Sequence, residues 1–237
     1  MSHKRILVFT ACYNEKQNIK KLIEKINKSV PEVDMLIIDD NSPDQTGLEI
    51  KKIISKFSNL NLIIRNKKLG LDTAHKYAYK FALKKNYDFL ITMDADLSHD
   101  PKELRKIIDN LFFYPFVIGS RYIKGGKCLM NGPRLLISKY GNLIIKFFSG
   151  INCTEFTTSY RGFNIKKLKG FNLNQINQKG YSFFMGSIFR ISMCGFKIKQ
   201  VPIIFYDREK GISKISKIEI FRTLKNLFLF IIKKYLN

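Results

Sequence analysis

The stretch Phe89-Leu90-Ile91-Thr92-Met93-Asp94-Ala95-Asp96-Leu97-Ser98-His99-Asp100-Pro101-Lys102-Glu103 carries three signals in succession. Phe89 to Met93 is an apolar run of strand length. It ends on two aspartates spaced i, i+2. Asp100-Pro101-Lys102-Glu103 then opens a helix, with Asp as cap, Pro in the first position and Glu in the third. Leu104, Ile107, Ile108 and Leu111 follow at helical spacing. This is one strand–loop–helix unit, and its polar loop is where chemistry is expected.

The same unit repeats toward the N-terminus. Ile6 to Phe9 is a strand-length run, and Asn14 is placed to cap the next helix, with Gln17 in a capping-box position. Ile19, Leu22, Ile23 and Ile26 mark that helix. Met35 to Ile38 and Leu62 to Ile64 read as further strands. Leu48, Ile53, Ile54 and Phe57 mark a second helix, and Ala74, Tyr77, Ala78, Phe81 and Ala82 a third. Phe116 to Ile118 is a fifth strand. Strands return roughly every 26–29 residues, the size of a βαβ unit. Continuous apolar strands between amphipathic helices predict an α/β fold, a Rossmann-like, mainly parallel sheet covered by helices on both faces.

Beyond residue 120 the alternation stops. A Gly-rich basic loop, Ile123 to Lys127, leads to a helix predicted near 134–149, carrying Leu135, Leu136, Leu143, Ile144, Phe147 and Phe148. A mixed region follows, then a helix near 182–194, a strand near 197–205 and a final amphipathic helix. No internal repeat or linker interrupts the chain. The expected organisation is one domain over 1–215 with an amphipathic C-terminal helix over 216–237.

Composition bounds the function loosely. With 42 Lys and Arg against 19 Asp and Glu, the formal charge is +23. Such a charge suits nucleic acid, phosphorylated substrates or an acidic membrane face. Lysine is spread along the whole chain, though, which compositional bias explains equally well. No nucleic-acid-binding motif is present, and paired acidic loops argue against that class. The cysteines Cys12, Cys128, Cys153 and Cys194 form no CxxC pair and read as thiols of a reducing compartment. The longest apolar run, Leu227 to Ile232, is far short of the ~20 residues of a membrane span. With no secretory signal visible, a cytoplasmic location is expected.

In open parallel sheets, ligands gather at the carboxyl ends of the strands. Tyr13-Asn14-Glu15, Asp39-Asp40-Asn41-Ser42-Pro43-Asp44, Asp94-Ala95-Asp96 and Gly119-Ser120-Arg121 all fall there. Asp94 and Asp96 face the same way at a strand end. A divalent cation relieves their mutual repulsion, and Mg²⁺ or Mn²⁺ held by one or two carboxylates plus substrate phosphates is a common arrangement. Asp39 and Asp40 fit either an Asx-type turn or acceptance of hydrogen bonds from a base or ribose.

These segments, in this order with Lys68-Leu69-Gly70-Leu71 and Gly119-Ser120-Arg121-Tyr122, resemble the family 2 glycosyltransferases of the dolichyl-phosphate mannose synthase type. Thr157-Thr158-Ser159-Tyr160-Arg161, Gly180-Tyr181-Ser182-Phe183 and Val201-Pro202-Ile203, with Asp207-Arg208 and Ser213-Lys214, extend the likeness over about residues 5–217. The resemblance implies a GT-A fold and inverting transfer of a hexose, foremost mannose from GDP-mannose, to a dolichyl or other polyprenyl phosphate. It implies that Ala11, Tyr13, Glu15, Ile38 and Asp40 line the nucleotide. Asp94, Ala95 and Asp96 would hold Mg²⁺ or Mn²⁺ and the diphosphate, with Ser98 where some members place a further, stronger metal ligand. Arg121, Arg134, Arg208 and Lys214 would gather the donor and acceptor phosphates; Asp94, Asp96 and Arg121 would be central to catalysis.

Several positions depart from the family pattern. Ala11 stands where Pro is usual, Gln45 and Asp72 where Gly is common, and Glu155 where Asp is usual. Phe184 and Gly186 stand where many relatives carry Gln and Glu, which puts turnover in question. Alternatives therefore include another nucleotide sugar, a glycan acceptor, or a catalytically impaired nucleotide-sugar-binding homologue. A polyprenyl acceptor requires contact with a bilayer, on the cytoplasmic face. The segment from Ile218 to Leu236 and the 134–149 helix are candidates for that contact, or for packing on the domain or on a small membrane-anchoring subunit.

Overall fold

Ile6 and Val8 of the first strand face one way and Leu7 and Phe9 the other, yet all four are buried, in two separate hydrophobic clusters. A strand covered on both faces belongs in the middle of a layered α/β sheet. The computed structural model describes residues 4–207 and 225–232. Its sheet has the order β3-β2-β1-β4-β7-β5-β8. These strands are β1 (Ile6–Cys12), β2 (Asp34–Asp39), β3 (Leu60–Ile64), β4 (Phe89–Asp94), β5 (Phe116–Ser120), β7 (Arg161–Asn164) and β8 (Ile198–Pro202). Two short strands, β6 (Lys127–Cys128) and β9 (Ile204–Phe205), pair separately. All pairings in the large sheet are parallel except those of β7, which runs against both β4 and β5.

The helices α1 (Lys16–Ser29), α2 (Thr46–Ile53), α3 (Leu71–Lys84), α4 (Leu104–Leu111), α5 (Pro133–Ser149) and α6 (Ser182–Met193) flank the sheet. In α4, Leu104, Ile107, Ile108 and Leu111 are all buried, each contributing about 1.5–3 kcal/mol. Its first turn is a 3₁₀ turn over Pro101–Glu103, where the Asp100 carboxylate accepts from Lys102 N–H at 3.0 Å, as the Asp-Pro signal predicts. In α3, His75 and Tyr79 are buried where Tyr77 was expected; Tyr77 is exposed. Leu48, counted as a core position of α2, is likewise exposed.

The expected capping box at Asn14 does not form. Asn14 adopts φ 58° and its N–H donates to Ser42 Oγ. The start of α1 is satisfied instead from the loop after β2. Lys16 N–H donates to Asp44 Oδ2 at 3.0 Å, and Glu15 N–H to Thr46 Oγ1 at 2.9 Å. Gln45 in that loop takes φ 68°, a left-handed conformation that favours glycine, which gives a physical reason for the residue usual there in the resembled family.

Strand β7 was not foreseen. Its Gly162 lies under α4, where a Cβ would stand 2.7 Å from Ile107 Cγ2 and 2.8 Å from Leu111 Cδ1. The helix can approach the sheet this closely only because the residue has no side chain.

Helix α5 is inverted relative to the usual pattern. Asn142, Ile145 and Ser149 face the domain, whereas Leu136, Ile137, Tyr140, Leu143, Ile144, Phe147 and Phe148 are exposed. Phe147 is 78% exposed. The helical segment 225–232 rests on α6 through a ring stack of Phe230 on Phe189 at 3.7 Å and an Asn226 Nδ2 bond to Ser182 Oγ at 3.1 Å; it buries Leu227 and exposes Phe228, Leu229 and Ile232. The rest of the expected C-terminal helix lies outside the described residues. Among the described residues, no helix is long and apolar enough to cross a membrane.

Candidate active site

The register of the central strands assembles the site. Ala11 on β1 pairs with Ile38 on β2 and with Asp94 on β4, so the three stand abreast at one edge of the sheet. Asp40 follows directly, its N–H donating to Cys12 carbonyl at 3.0 Å. With one strand between them, the carboxyl ends of β2 and β4 are about 10 Å apart. The acidic tips of both strands therefore open at the same edge.

Asp94 is the more accessible carboxylate of its pair; its side chain is 37% exposed. Ser159 Oγ donates to its Oδ1 at 2.6 Å. Its backbone N–H donates to His99 Nδ1 at 3.1 Å. Because Nδ1 accepts, the neutral ring carries its proton on Nε2 and donates it to Thr158 Oγ1 at 3.1 Å. Burial pushes the His99 pKa down, although Asp94 and Asp96 pull it up, so the 3.7 Å contact between His99 and Asp94 is not an ion pair at neutral pH. The ring stacks on Tyr160 at 4.8 Å. His99 is thus a fixed support of the β4 terminus.

Asp96 is buried, and its Oδ1 accepts from Ser98 N–H at 3.1 Å and Ser98 Oγ at 2.5 Å. Leu97, at φ 64°, makes the turn that allows this. Ser98, expected as a weak metal ligand, is fully buried with its hydroxyl turned onto Asp96. Its hydroxyl supports the Asp96 carboxylate. Among the described residues, no cluster of three or more His, Cys, Asp or Glu could hold a metal. The donor set nevertheless fits a hard divalent cation that takes two protein carboxylates, from Asp94 and Asp96, and completes its shell with diphosphate oxygens.

Asp40 is engaged on both oxygens. Leu69 N–H and Arg65 Nη1 donate to Oδ1 at 2.9 and 3.1 Å, and Gly70 N–H donates to Oδ2 at 2.7 Å. It anchors the turn that starts α3. Asp39 is likewise held by Ser42, whose N–H and hydroxyl both donate to it. Ile38 lies wholly in the core, so only its backbone is at the edge. Glu15 is buried and accepts from Asn18 Nδ2 at 2.9 Å. Lys68 Nζ sits 3.7 Å from the centre of the Tyr13 ring, a cation–π contact.

Arg121 follows β5 on the other side of β7, about 10 Å from the β4 terminus by strand spacing. Its Nε and Nη2 donate to the two oxygens of Glu155 at 2.7 and 2.9 Å, a bidentate buried pair. Burial alone would lower the Arg121 pKa; the Glu155 carboxylate outweighs that and holds it above the ordinary value. The guanidinium lies 4.4 Å from the Phe205 ring centre. With Tyr122, Lys139, Tyr140 and Lys146 it lines a cleft of about 430 Å³ between the β5 loop and α5. Arg134, at the start of α5, is exposed and 3.6 Å from Asp207. Arg208 and Lys214 lie outside the described residues.

Phe184 and Gly186 have structural roles here. Phe184 is buried, with its ring edge-on to His75 at 5.0 Å and under the Arg161 guanidinium at 4.8 Å. A Cβ on Gly186 would meet Gln178 Oε1 at 2.5 Å, so the Gln178 amide fills the space beside this glycine. Sequence reasoning assigned no role to Ser159, Glu155 or Arg161 individually. Each acts on a partner distant in sequence; only the ordered Thr157–Arg161 motif hinted at Ser159 and Arg161, and only its departure from the usual Asp hinted at Glu155.

The fold and this edge define a GT-A glycosyltransferase. The chain matches the family described as Glycosyl transferase family 2 over residues 7–171 and belongs to it. It is 36% identical over 214 residues to the undecaprenyl-phosphate mannosyltransferase of Micrococcus luteus, covering 90% of this chain and 88% of the relative. It is 34% identical over 217 residues to the polyprenol monophosphomannose synthase of Mycolicibacterium smegmatis, covering 90% and 82%. Among solved structures it is similar to glucosyl-3-phosphoglycerate synthase of Mycobacterium tuberculosis, in complex with Mn²⁺, UDP and glucosyl-3-phosphoglycerate. That likeness has a TM-score of 0.70 at 14% identity over 98% of this chain and 80% of the other. A mannosyltransferase of Pyrobaculum calidifontis, in complex with GDP-Man and Mn²⁺, gives 0.58 at 14% identity over 100% and 66%. These two likenesses concern the fold.

Proposed function

We propose that this glycosyltransferase transfers a hexose, foremost mannose from GDP-mannose, with inversion to a polyprenyl phosphate at the cytoplasmic face of a membrane. One observation carries the reading: a carboxylate pair and an arginine-lined cleft share one sheet edge, and the cleft is walled by a helix whose apolar stripe faces outward. The two curated relatives, named for polyprenyl-phosphate mannosyl transfer, support it.

The chemistry suits these residues. The acceptor is a phosphate monoester with a second pKa near 6, mostly dianionic at neutral pH, and needs no strong general base. The protein's task is to bring two anionic groups together. Asp94 and Asp96 would hold a divalent cation, Mg²⁺ or Mn²⁺, which supplies charge stabilisation for the departing nucleoside diphosphate. Arg121, fixed by Glu155, and the exposed Arg134 would bind phosphate through planar guanidinium forks. Arg208 and Lys214 are proposed to join them. Ala11, Tyr13, Glu15, Asp40, Ala95 and the Ile38 backbone are proposed to line the nucleotide.

The organisation proposed is a catalytic domain over 1–215 and an interfacial segment over 216–237. The outward stripe of α5, flanked by Arg134, Lys139 and Lys146, has the makeup of a helix lying on an anionic leaflet. A small membrane subunit is a further candidate to cover it.

The test uses purified protein with labelled GDP-mannose, UDP-glucose or UDP-N-acetylglucosamine, dolichyl or undecaprenyl phosphate, and Mn²⁺ or EDTA. Chloroform-extractable label from GDP-mannose, lost with EDTA, is expected. Asp96→Ala should abolish transfer with the fold intact; unchanged turnover in that variant rejects the carboxylate assignment. Nucleotide binding without transfer from any donor rejects the enzymatic reading.

A further inference from the structure

The loop 154–160 touches both halves of the site. Glu155 in it grips Arg121, and Ser159 grips Asp94. Thr158 Oγ1 receives the His99 Nε2 proton and also accepts from Tyr160 N–H at 3.1 Å. The support of the cleft arginine and the support of the accessible carboxylate thus stand four positions apart.

Besides contacts from Asn142, Gln200 and Thr92, a buried cation ties this loop to α6. Arg161 is only 1% exposed. Its Nε donates to Thr158 carbonyl at 2.7 Å and its Nη2 to Phe156 carbonyl at 3.0 Å. Its Nη1 donates to Phe184 carbonyl at 2.7 Å and to Ser187 Oγ at 2.5 Å. Two of these bonds go into the loop and two into α6. No carboxylate bonds directly to the guanidinium among the described residues. Three carbonyl oxygens and a hydroxyl take that place, an expensive way to keep a charge inside a protein. A shorter or neutral side chain cannot span the same four acceptors.

We propose that Arg161 is a positioning residue which, by clamping loop 154–160 to α6, sets both the Asp94 carboxylate through Ser159 and the Arg121 guanidinium through Glu155. The assignment of Asp94 and Arg121 to donor and acceptor rests on the proposed function; the clamping itself does not.

The experiment compares Ser159→Ala, Glu155→Gln and Arg161→Lys in the full chain. Hydrogen exchange, read without substrate, is expected to be about tenfold faster over 154–160 in Arg161→Lys, with β1 and β2 unchanged. In steady state, Ser159→Ala should raise the half-saturating Mn²⁺ concentration about tenfold and leave acceptor KM unchanged. Glu155→Gln should raise acceptor KM alone, and Arg161→Lys should raise both. Wild-type exchange over 154–160 in Arg161→Lys overturns the proposal. So does a fall in kcat with both constants unchanged, which marks a merely structural role. If Arg161→Lys does not fold, Ser187→Ala, which removes one Nη1 acceptor, should produce the same two shifts at smaller size, and their absence overturns it. A wild-type protein without Mn²⁺-dependent transfer would reject the proposed reaction, while the exchange comparison would still decide the role of Arg161.

Discussion

His75 makes the fold sensitive to mild acid. Its ring lies in an aromatic cage, 5.0 Å from Phe9, 5.8 Å from Phe183 and 5.0 Å from Phe184. Burial, with a smaller push from the Arg161 charge, lowers its pKa from 6.5 to about 3. The folded state therefore binds the proton less readily than the unfolded chain. This group's contribution is intact above pH 6.5 and is lost as pH falls from 6.5 toward 3. Between pH 7.5 and pH 5 the loss is about 2 kcal/mol, from 1.36 kcal/mol per pH unit below the unfolded pKa. Depressed carboxylates do not confuse this window. Burial works against Asp44 and Asp88, yet hydrogen bonds from Thr46 and Lys166 respectively hold both below 3.8, so their losses begin only near that pH. His99 is shifted in the same direction as His75, so a variant is needed to isolate the latter. Urea unfolding of wild type and His75→Leu at pH 7.5 and pH 5 provides the comparison. The variant should lose about 2 kcal/mol less than wild type across the interval. Equal losses in the two proteins would refute the claim that His75 is held neutral.

Three further outcomes are expected. Gly162→Ala should destabilise the fold by about 1–3 kcal/mol, measured by urea midpoint, because its Cβ meets Ile107 and Leu111 at 2.7 and 2.8 Å. Glu155→Ala should cost about 3–5 kcal/mol by leaving Arg121 buried and unpaired, and thermal unfolding would read it. If α5 is the bilayer contact, Phe147→Glu with Leu143→Glu should cut sedimentation with anionic vesicles by at least about tenfold, with the unfolding midpoint within a few degrees of wild type.

The first half of the fold was legible because each strand there is a continuous apolar run ending in a polar loop. The placing of Asp94 and Asp96 at a strand end was legible because the apolar run of β4 stops at Met93, just before them. Strand β7 was hidden for a physical reason: Arg161-Gly162-Phe163-Asn164 neither alternates nor is apolar, and both its partners, residues 89–92 and 116–118, are distant in sequence. The helix over 133–149 could be found from its period, but nothing in that period tells which side is wet. Asn142 faces inward because its Oδ1 accepts from Phe156 N–H at 2.6 Å, a contact no local pattern encodes. The same holds for the support of α1, where Asp44 and Thr46 replace the local cap that Asn14 suggested. Asp40 illustrates the limit most clearly. Its place at a strand end was readable, but its three donors come from Arg65, Leu69 and Gly70, residues 25 to 30 positions away.

The reversed direction of β7 has a consequence for how the gene product matures. Because this strand enters the sheet from the ligand edge, its leading residues arrive there, whereas a parallel strand would have delivered its trailing ones. The carboxylate end of β4 is complete in sequence by residue 96, but the hydroxyl that orients Asp94 is translated more than sixty residues later. A nascent chain halted near residue 150 carries Asp94 without the Ser159 hydroxyl that orients it. Ser159, at the head of this strand, can orient Asp94 only once residues 159–164 have been made and the strand has paired with β4 and β5.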